Sequence, residues 1–471
     1  MSCRFSSRLE DKLVGASTSR RALLKGACSA VAMAGLAGCG MFEDDPKKTV
    51  LPGRRIDVLS TGAGLTIDPH DTAPITLPAV QPVTEWTQEG RVASHESVNA
   101  AWNGTRELWS QSIGAGVNRV GWLSTVAFVP NRQGALQSPP VIGNGRMFTV
   151  DAQGVIRAWS WPGRDKLWRL QPARKTRSTN IGGGLALVGD TLYVVDGVAQ
   201  ALALDAATGR QKWAIDTVTP GRSAPTIVDG LMVFTTIDAR LYAVDAATGQ
   251  QRWTYQATNI NTSLFGAGAP AIVNGIVVAG FGSGDLVALR AASGEVVWSD
   301  SLGGGNGLGA MLDFACVRGG PVVVGNTAYA ISLSRVLVAI DMRSGRRLWE
   351  REVSGQSPLC VCGEWLFVIS LDQQLACIDR VTGQVRWVKQ LMRYKKPEHE
   401  KGPVQWSGPI LLNNKLVCLS SMKRGGLLIV DAQTGKEEGK IETPSSCQVQ
   451  PIVCDGQLLV LSEDGVLRAY G

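Results

Sequence analysis

The chain has 471 residues, 44% of them hydrophobic, which is enough to supply a large core. Its formal charge of +7 is partly borrowed from the front: residues 1–38 hold six basic and two acidic residues, and the remainder carries +3. Basic pairs such as Arg174-Lys175 and Lys395-Lys396 read as solvated loops rather than a nucleic-acid footprint, so neither DNA nor RNA is an expected partner.

The first element in chain order is an address. Ser19-Arg20-Arg21-Ala22-Leu23-Leu24-Lys25 precedes the apolar run 26–38, which is too short to span a bilayer and has the layout of an export signal. The paired arginines resemble a twin-arginine motif. A general secretory signal can also contain Arg-Arg, and the two routes stay open. Leu36-Ala37-Gly38-Cys39 resembles a lipobox, which implies cleavage before Cys39 and acylation of its thiol and new amine. The alternative is a cysteine that happens to end an apolar run. Three acyl chains would hold the protein to a membrane without a transmembrane helix. Residue 40 is Gly rather than Asp, which by resemblance to the lipoprotein sorting rule permits transfer to the outer membrane. Residues 46–82 contain six prolines and no clear period, and read as an extended tether. The expected division is a signal peptide 1–38, a lipidated N-terminus and linker 39–83, and a folded domain 84–471. Trp86 and Trp102 are candidates to pack on that domain.

From there the chain repeats itself. Residues 223–256 read as four short strands: one ending at the turn Asp229-Gly230, a β-branched and aromatic run, a third strand after Asp238-Ala239, and a last strand bearing Trp253. The tight turn before that last strand begins at Asp245 and ends at Gly249, with Trp253 four residues on. The same signature stands at Asp205, Gly209 and Trp213, at Arg290, Gly294 and Trp298, at Asp341, Gly345 and Trp349, and at Asp379, Gly383 and Trp387. Looser copies are Gly163 with Trp168, and Asp431 with Gly435, where Gly439 replaces the tryptophan. Successive tryptophans from Trp168 to Trp387 lie 45, 40, 45, 51 and 38 residues apart, a period that suits a four-stranded propeller blade. The C-terminal residues 451–470 supply three strands and no fourth, while the strand of Trp109 has no three before it. The expectation is an all-β chain: an eight-bladed β-propeller of four-stranded antiparallel blades, its ring closed by the N-terminal strand joining the last blade. Trp109, Trp168, Trp213, Trp253, Trp298, Trp349 and Trp387 are read as structural, each packing between adjacent blades.

No catalytic set stands out. Seven cysteines remain after Cys39, and Cys360, Cys362, Cys377, Cys418, Cys447 and Cys454 crowd the last three blades, most at strand positions where other blades have Ile, Ala or Phe. They read as small buried hydrophobes. With only His70, His95 and His399 as imidazoles, a metal site is not expected. Acidic residues sit at turns, and the runs Gly182-Gly183-Gly184 and Gly303-Gly304-Gly305 fit loops between blades rather than phosphate loops.

The repeat in residues 224–253, and again in 358–387 with Cys377 in place of Ala, resembles the quinoprotein-type propeller repeat. Two branches of that superfamily compete. The dehydrogenases that use pyrroloquinoline quinone typically have adjacent cysteines by the cofactor, and this chain has none. The BamB family, lipoprotein propellers of the outer-membrane β-barrel assembly machinery, is similar in blade number, lipobox and length, and the segment around Trp109 resembles the opening of its propeller. That resemblance implies a non-enzymatic scaffold without cofactor, lipid-anchored at the outer membrane and facing the periplasm. Its partners would be the POTRA domains of BamA, other Bam subunits and unfolded outer-membrane protein precursors. In the family a surface loop contacts BamA; the equivalent stretch begins Thr262-Ser263-Leu264-Phe265, making Thr262, Leu264 and Phe265 the expected partner-binding residues. A second family contact uses an acidic pair before a proline, where this chain has Cys316 and Arg318 before Pro321. The alternatives are a quinone-dependent oxidoreductase and an envelope propeller that binds some other partner.

Overall fold

The structure, a computed structural model, describes residues 64–67, 74–117, 136, 138–172, 182–258, 267–303 and 315–471. The repeat units fold into eight four-stranded antiparallel sheets, and in seven of them neighbours in the sheet are neighbours in sequence. The innermost strands are Val141–Gly143, Gly183–Val188, Thr226–Val228, Ala271–Val273, Val322–Val324, Cys360–Cys362, Trp406–Leu412 and Ile452–Cys454. They open blades 1 to 8 in that order. The eighth blade takes its outer strand from the front of the chain: Glu107–Ser112 pairs antiparallel with Val466–Tyr470, Trp109 opposite Ala469. The ring is closed by that pairing, and no blade presents an unfinished sheet.

Burial follows position within a blade. In blade 3 the second strand, Leu231–Thr235, is buried throughout, because neighbouring blades cover both of its faces. The outer strand, Gln251–Gln256, alternates between exposed and half-buried residues, and Trp253 takes an inward position. The apolar core is thus divided among the seams. Phe148 and Ile156 of blade 1 pack with Leu185 and Leu192 of blade 2, and Phe234 and Val244 of blade 3 with Ala186 and Ala203 of blade 2.

In blades 2 to 7 the turn before the outer strand links one blade to the last. In blade 3, Asp245 Oδ1 accepts hydrogen bonds from the amide and hydroxyl of Thr248, both at 3.0 Å, and the Gly249 amide donates to the Asp245 carbonyl at 2.8 Å. Gly249 sits at φ +76, and the register shifts by a bulge between Ala243 and Val244. Trp213 of blade 2 lies against this turn. Its Nε1 donates to the Ala246 carbonyl at 2.9 Å, and a Cβ on Gly249 would come within 2.8 Å of its ring. The same donation runs from Trp168 to Ala206, Trp253 to Ala291, Trp298 to Met342, Trp349 to Arg380 and Trp387 to Ala432, at 2.8–3.1 Å. Trp109 differs: its Nε1 donates to Gln457 Oε1 at 2.9 Å within its own blade, its ring meets Trp161 of blade 1 edge-on at 6.3 Å, and the Arg164 guanidinium lies 4.9 Å over it.

Two features depart from the sequence reading. Gly183 and Gly184 begin the inner strand of blade 2 instead of lying in an interblade loop, because a Cβ at Gly184 would sit 2.5 Å from that of Ala224 in blade 3. The stretch expected to be a tether also reaches into the fold: Ile75 is buried, and the carbonyls of Thr76 and Ile75 accept hydrogen bonds from Trp365 Nε1 and Gln433 Nε2.

Candidate functional site

An inner strand has one partner in its own blade, so its other edge faces the central axis with backbone groups to satisfy. Residues 83–100 meet that need in all eight blades, in order around the ring. The Val83 carbonyl takes the Asp455 amide of blade 8, and Trp86 exchanges both backbone bonds with Ile142 of blade 1. The Thr87 carbonyl takes the Leu187 amide, and the Gln88 side-chain oxygen takes that of Ile227. Ala93 and Ser94 receive the amides of Ile272 and Val323, and the Ser97 and Ala100 amides donate to Val361 and Leu411. This segment forms a plug that makes one circuit inside the channel.

The strands of a blade alternate in direction, so each inner strand starts on the face where the preceding outer strand ends. On that face the channel opens as a well enclosing about 1010 Å³, solvent-open space included. Its wall is built from residues that lead into or open the inner strands, among them Arg222, Arg318, Gln356, Ser407 and Gln450, and its floor is Glu89 of the plug. A smaller chamber lies deeper, shared by Glu89, Pro358 and Gln450 and lined by Trp86 and His95.

The electrostatics are set by burial. Glu89 Oε1 accepts the Ala269 amide at 3.3 Å, and desolvation still pushes its carboxyl up to about 7. His95 Nδ1 lies 2.8 Å from the Pro321 carbonyl, which can only accept, so Nδ1 carries the proton; burial pushes the imidazole down to about 4. Arg318 Nη1 donates to Gln356 Oε1 at 2.9 Å, and Arg222 Nη2 lies 3.3 Å from Cys316 Sγ. Burial, with Arg222 close by, lowers the Arg318 guanidinium from its ordinary value.

Of the residues singled out in the sequence, Cys39, Thr262, Leu264 and Phe265 lie outside the described residues. The described flanks of the last three, Gln256 at the end of an outer strand and Ala267 in the wall of the well, are on the mouth face. Cys316 and Arg318 are both placed at the mouth, Cys316 buried and Arg318 in the wall. The seven tryptophans are spread around the seams and do not converge. Cys316, Cys360, Cys362, Cys377, Cys418, Cys447 and Cys454 are buried free thiols, and burial pushes Cys360 up to about 12 and Cys362 to about 11. Lys395 and Lys396 are exposed on an added hairpin, Tyr394–Lys396 with Lys401–Pro403. The plug and the polar well were not found from sequence. Their one signal was the pair Trp86 and Trp102 ahead of the first complete blade.

Residues 152–389 match the family described as outer membrane protein assembly factor BamB. The outer membrane protein assembly factor BamB of Salmonella typhimurium is 24% identical over 368 residues, covering 77% of this chain and 88% of that protein. The crystal structure of BamB from Moraxella catarrhalis aligns with a TM-score of 0.64 at 20% identity, covering 78% of this chain and 99% of that one. A quinohemoprotein alcohol dehydrogenase from Pseudomonas putida HK5 aligns with a TM-score of 0.61 at 13% identity, covering 82% and 80%. At these identities the structural matches establish the common propeller fold.

Proposed function

The chain belongs to the family of outer membrane protein assembly factor BamB, and from that premise we propose that it is a non-enzymatic scaffold of the outer-membrane β-barrel assembly machinery. In this reading Cys39 is lipidated and holds the protein to the outer membrane on its periplasmic side. The propeller binds the POTRA domains of BamA and aids folding and insertion of outer-membrane protein precursors. The observation that carries the proposal is the family match over residues 152–389, within a ring whose eight blades are all complete.

The mouth face supports a docking role. The described residues that lead into the inner strands, among them Arg222, Ala267, Arg318 and Gln356, gather on it. The non-enzymatic part of the reading is supported by the sequence, which has no adjacent cysteines. Among the described residues no group of three His, Cys, Asp or Glu is placed to hold a metal ion.

The test is affinity purification of the tagged full chain from solubilised membranes of its own organism. BamA is expected to co-purify, and Leu264→Ala with Phe265→Ala to reduce its recovery about tenfold or more, the loss expected when an apolar anchor leaves an interface. Unchanged recovery with the double variant would remove those two residues from the contact. Absence of BamA would overturn the proposal itself.

A further inference from the structure

Three buried polar atoms along the central well have no hydrogen-bond partner among the described residues: Ser407 Oγ in the upper wall, and Trp86 Nε1 and His95 Nε2 in the deeper chamber. Trp86 is 7% and His95 8% exposed, so bulk water does not serve them. Nδ1 of His95 holds the proton, leaving Nε2 as an acceptor, while the indole is a donor. Buried polar groups are rarely left unpaired without reason, and Ser407 Oγ in the well, with Trp86 Nε1 and His95 Nε2 in the chamber below it, marks the channel as built for polar occupants.

The sign of that occupant comes from the wall. Arg318 has Gln356 as its hydrogen-bond partner and no carboxylate within ion-pair distance among the described residues. Arg222, of like charge, stands close enough to disfavour it further. A guanidinium offers a fork of donors that matches carboxylate or phosphate, and is strongest toward them where water is restricted. Gln405 and Gln450 also line the well and present side-chain amides to it. The other charged and titratable groups lining the two chambers are Glu89, Arg91, His95 and Glu96 of the plug. Glu89 is the floor carboxyl; with its proton retained below about pH 7, it does not cancel Arg318 there.

We propose that the well binds a small oxyanion, a carboxylate or phosphate held by Arg318 with Arg222 beside it and contacted by Ser407 and Gln450. This property is separate from docking to the assembly machinery, since it concerns the channel rather than the rim.

The test is calorimetric titration of the purified full chain at pH 6 and low ionic strength with two probes, inorganic phosphate and citrate. Saturable binding of at least one is expected, weakened tenfold or more by Arg318→Gln and unchanged by Lys395→Gln on the exposed hairpin. Tighter binding of citrate would identify a carboxylate ligand, and tighter binding of phosphate a phosphorylated one. If Arg318→Gln melts far below the parent, Arg318→Lys replaces it; retaining charge without the fork, it should still lose several-fold in affinity. No saturable binding of either probe, or equal binding by the Arg318 variants, would overturn the assignment.

Discussion

Glu89 and His95 sit six positions apart in the plug and respond to burial in opposite directions. Glu89 titrates near 7 in the fold and near 4.5 free, so between those values the folded chain holds a proton that the unfolded chain has released. Its contribution is full below about 4.5 and is lost as pH rises through about 7. His95 titrates near 4 in the fold and near 6.5 free, so there the unfolded chain holds the extra proton. Its contribution is full above 6.5 and is lost as pH falls toward 4. Each slope is about 1.4 kcal/mol per pH unit, and between 4.5 and 6.5 they offset one another. Glu89→Gln, which keeps an acceptor for the Ala269 amide, should therefore make stability rise with pH across that window relative to the parent. His95→Asn, which keeps a donor for Pro321, should make it fall. Urea denaturation at intervals through the window checks both signs; parallel curves for parent and variants would show that neither group is shifted.

The element with most leverage is the plug, since its bonds are to backbone groups that no blade can satisfy. Gln88→Ala would leave the Ile227 amide of blade 3 without its side-chain acceptor, at a cost of about 1–3 kcal/mol. Hydrogen exchange should then speed up at Ile227 while Ile142, bonded through the Trp86 backbone, stays protected. Equal protection at Ile227 in parent and variant would mean that the Gln88 bond is not made in solution. Why this element was illegible follows from its chemistry. The blades announce themselves because most turns repeat a side-chain device, such as Asp245 bonding Thr248, together with a glycine at positive φ. Blade 4 makes the same turn from Arg290, its Gly294 amide donating to the Arg290 carbonyl, so backbone geometry is what the motif encodes. Apart from the Gln88 side chain, the plug uses main-chain bonds at irregular intervals, and it needs no recurring residue. Gly184 misleads for a related reason: a glycine needed for close approach to Ala224 looks in sequence like one in a loop. Arg318 stood out only as a departure from a family contact, and its meeting with Arg222 and Glu89 depends on three segments far apart in the chain.

For the whole molecule, the ring depends on one strand borrowed from the front. Truncation before Ile113 would remove both the plug and Glu107–Ser112, exposing the Val466–Tyr470 edge along with the inner-strand edges. Such a chain should aggregate, which light scattering would register, while truncation before residue 64 should leave a monodisperse propeller. If the shorter chain stayed monomeric and folded, ring closure would not depend on that pairing. The completed ring then has two regions of different character: the rim, where we propose that a protein docks, and a polar well behind it. The central claim is that the rim docks onto the assembly machinery, and the most direct measurement is calorimetric titration of residues 64–471 against the POTRA domains of BamA from the same organism. The account predicts saturable binding with a dissociation constant on the order of 1 μM or tighter, in the range expected of a specific interface. A folded propeller, verified by circular dichroism, that gives no heat of binding at any accessible concentration would contradict it.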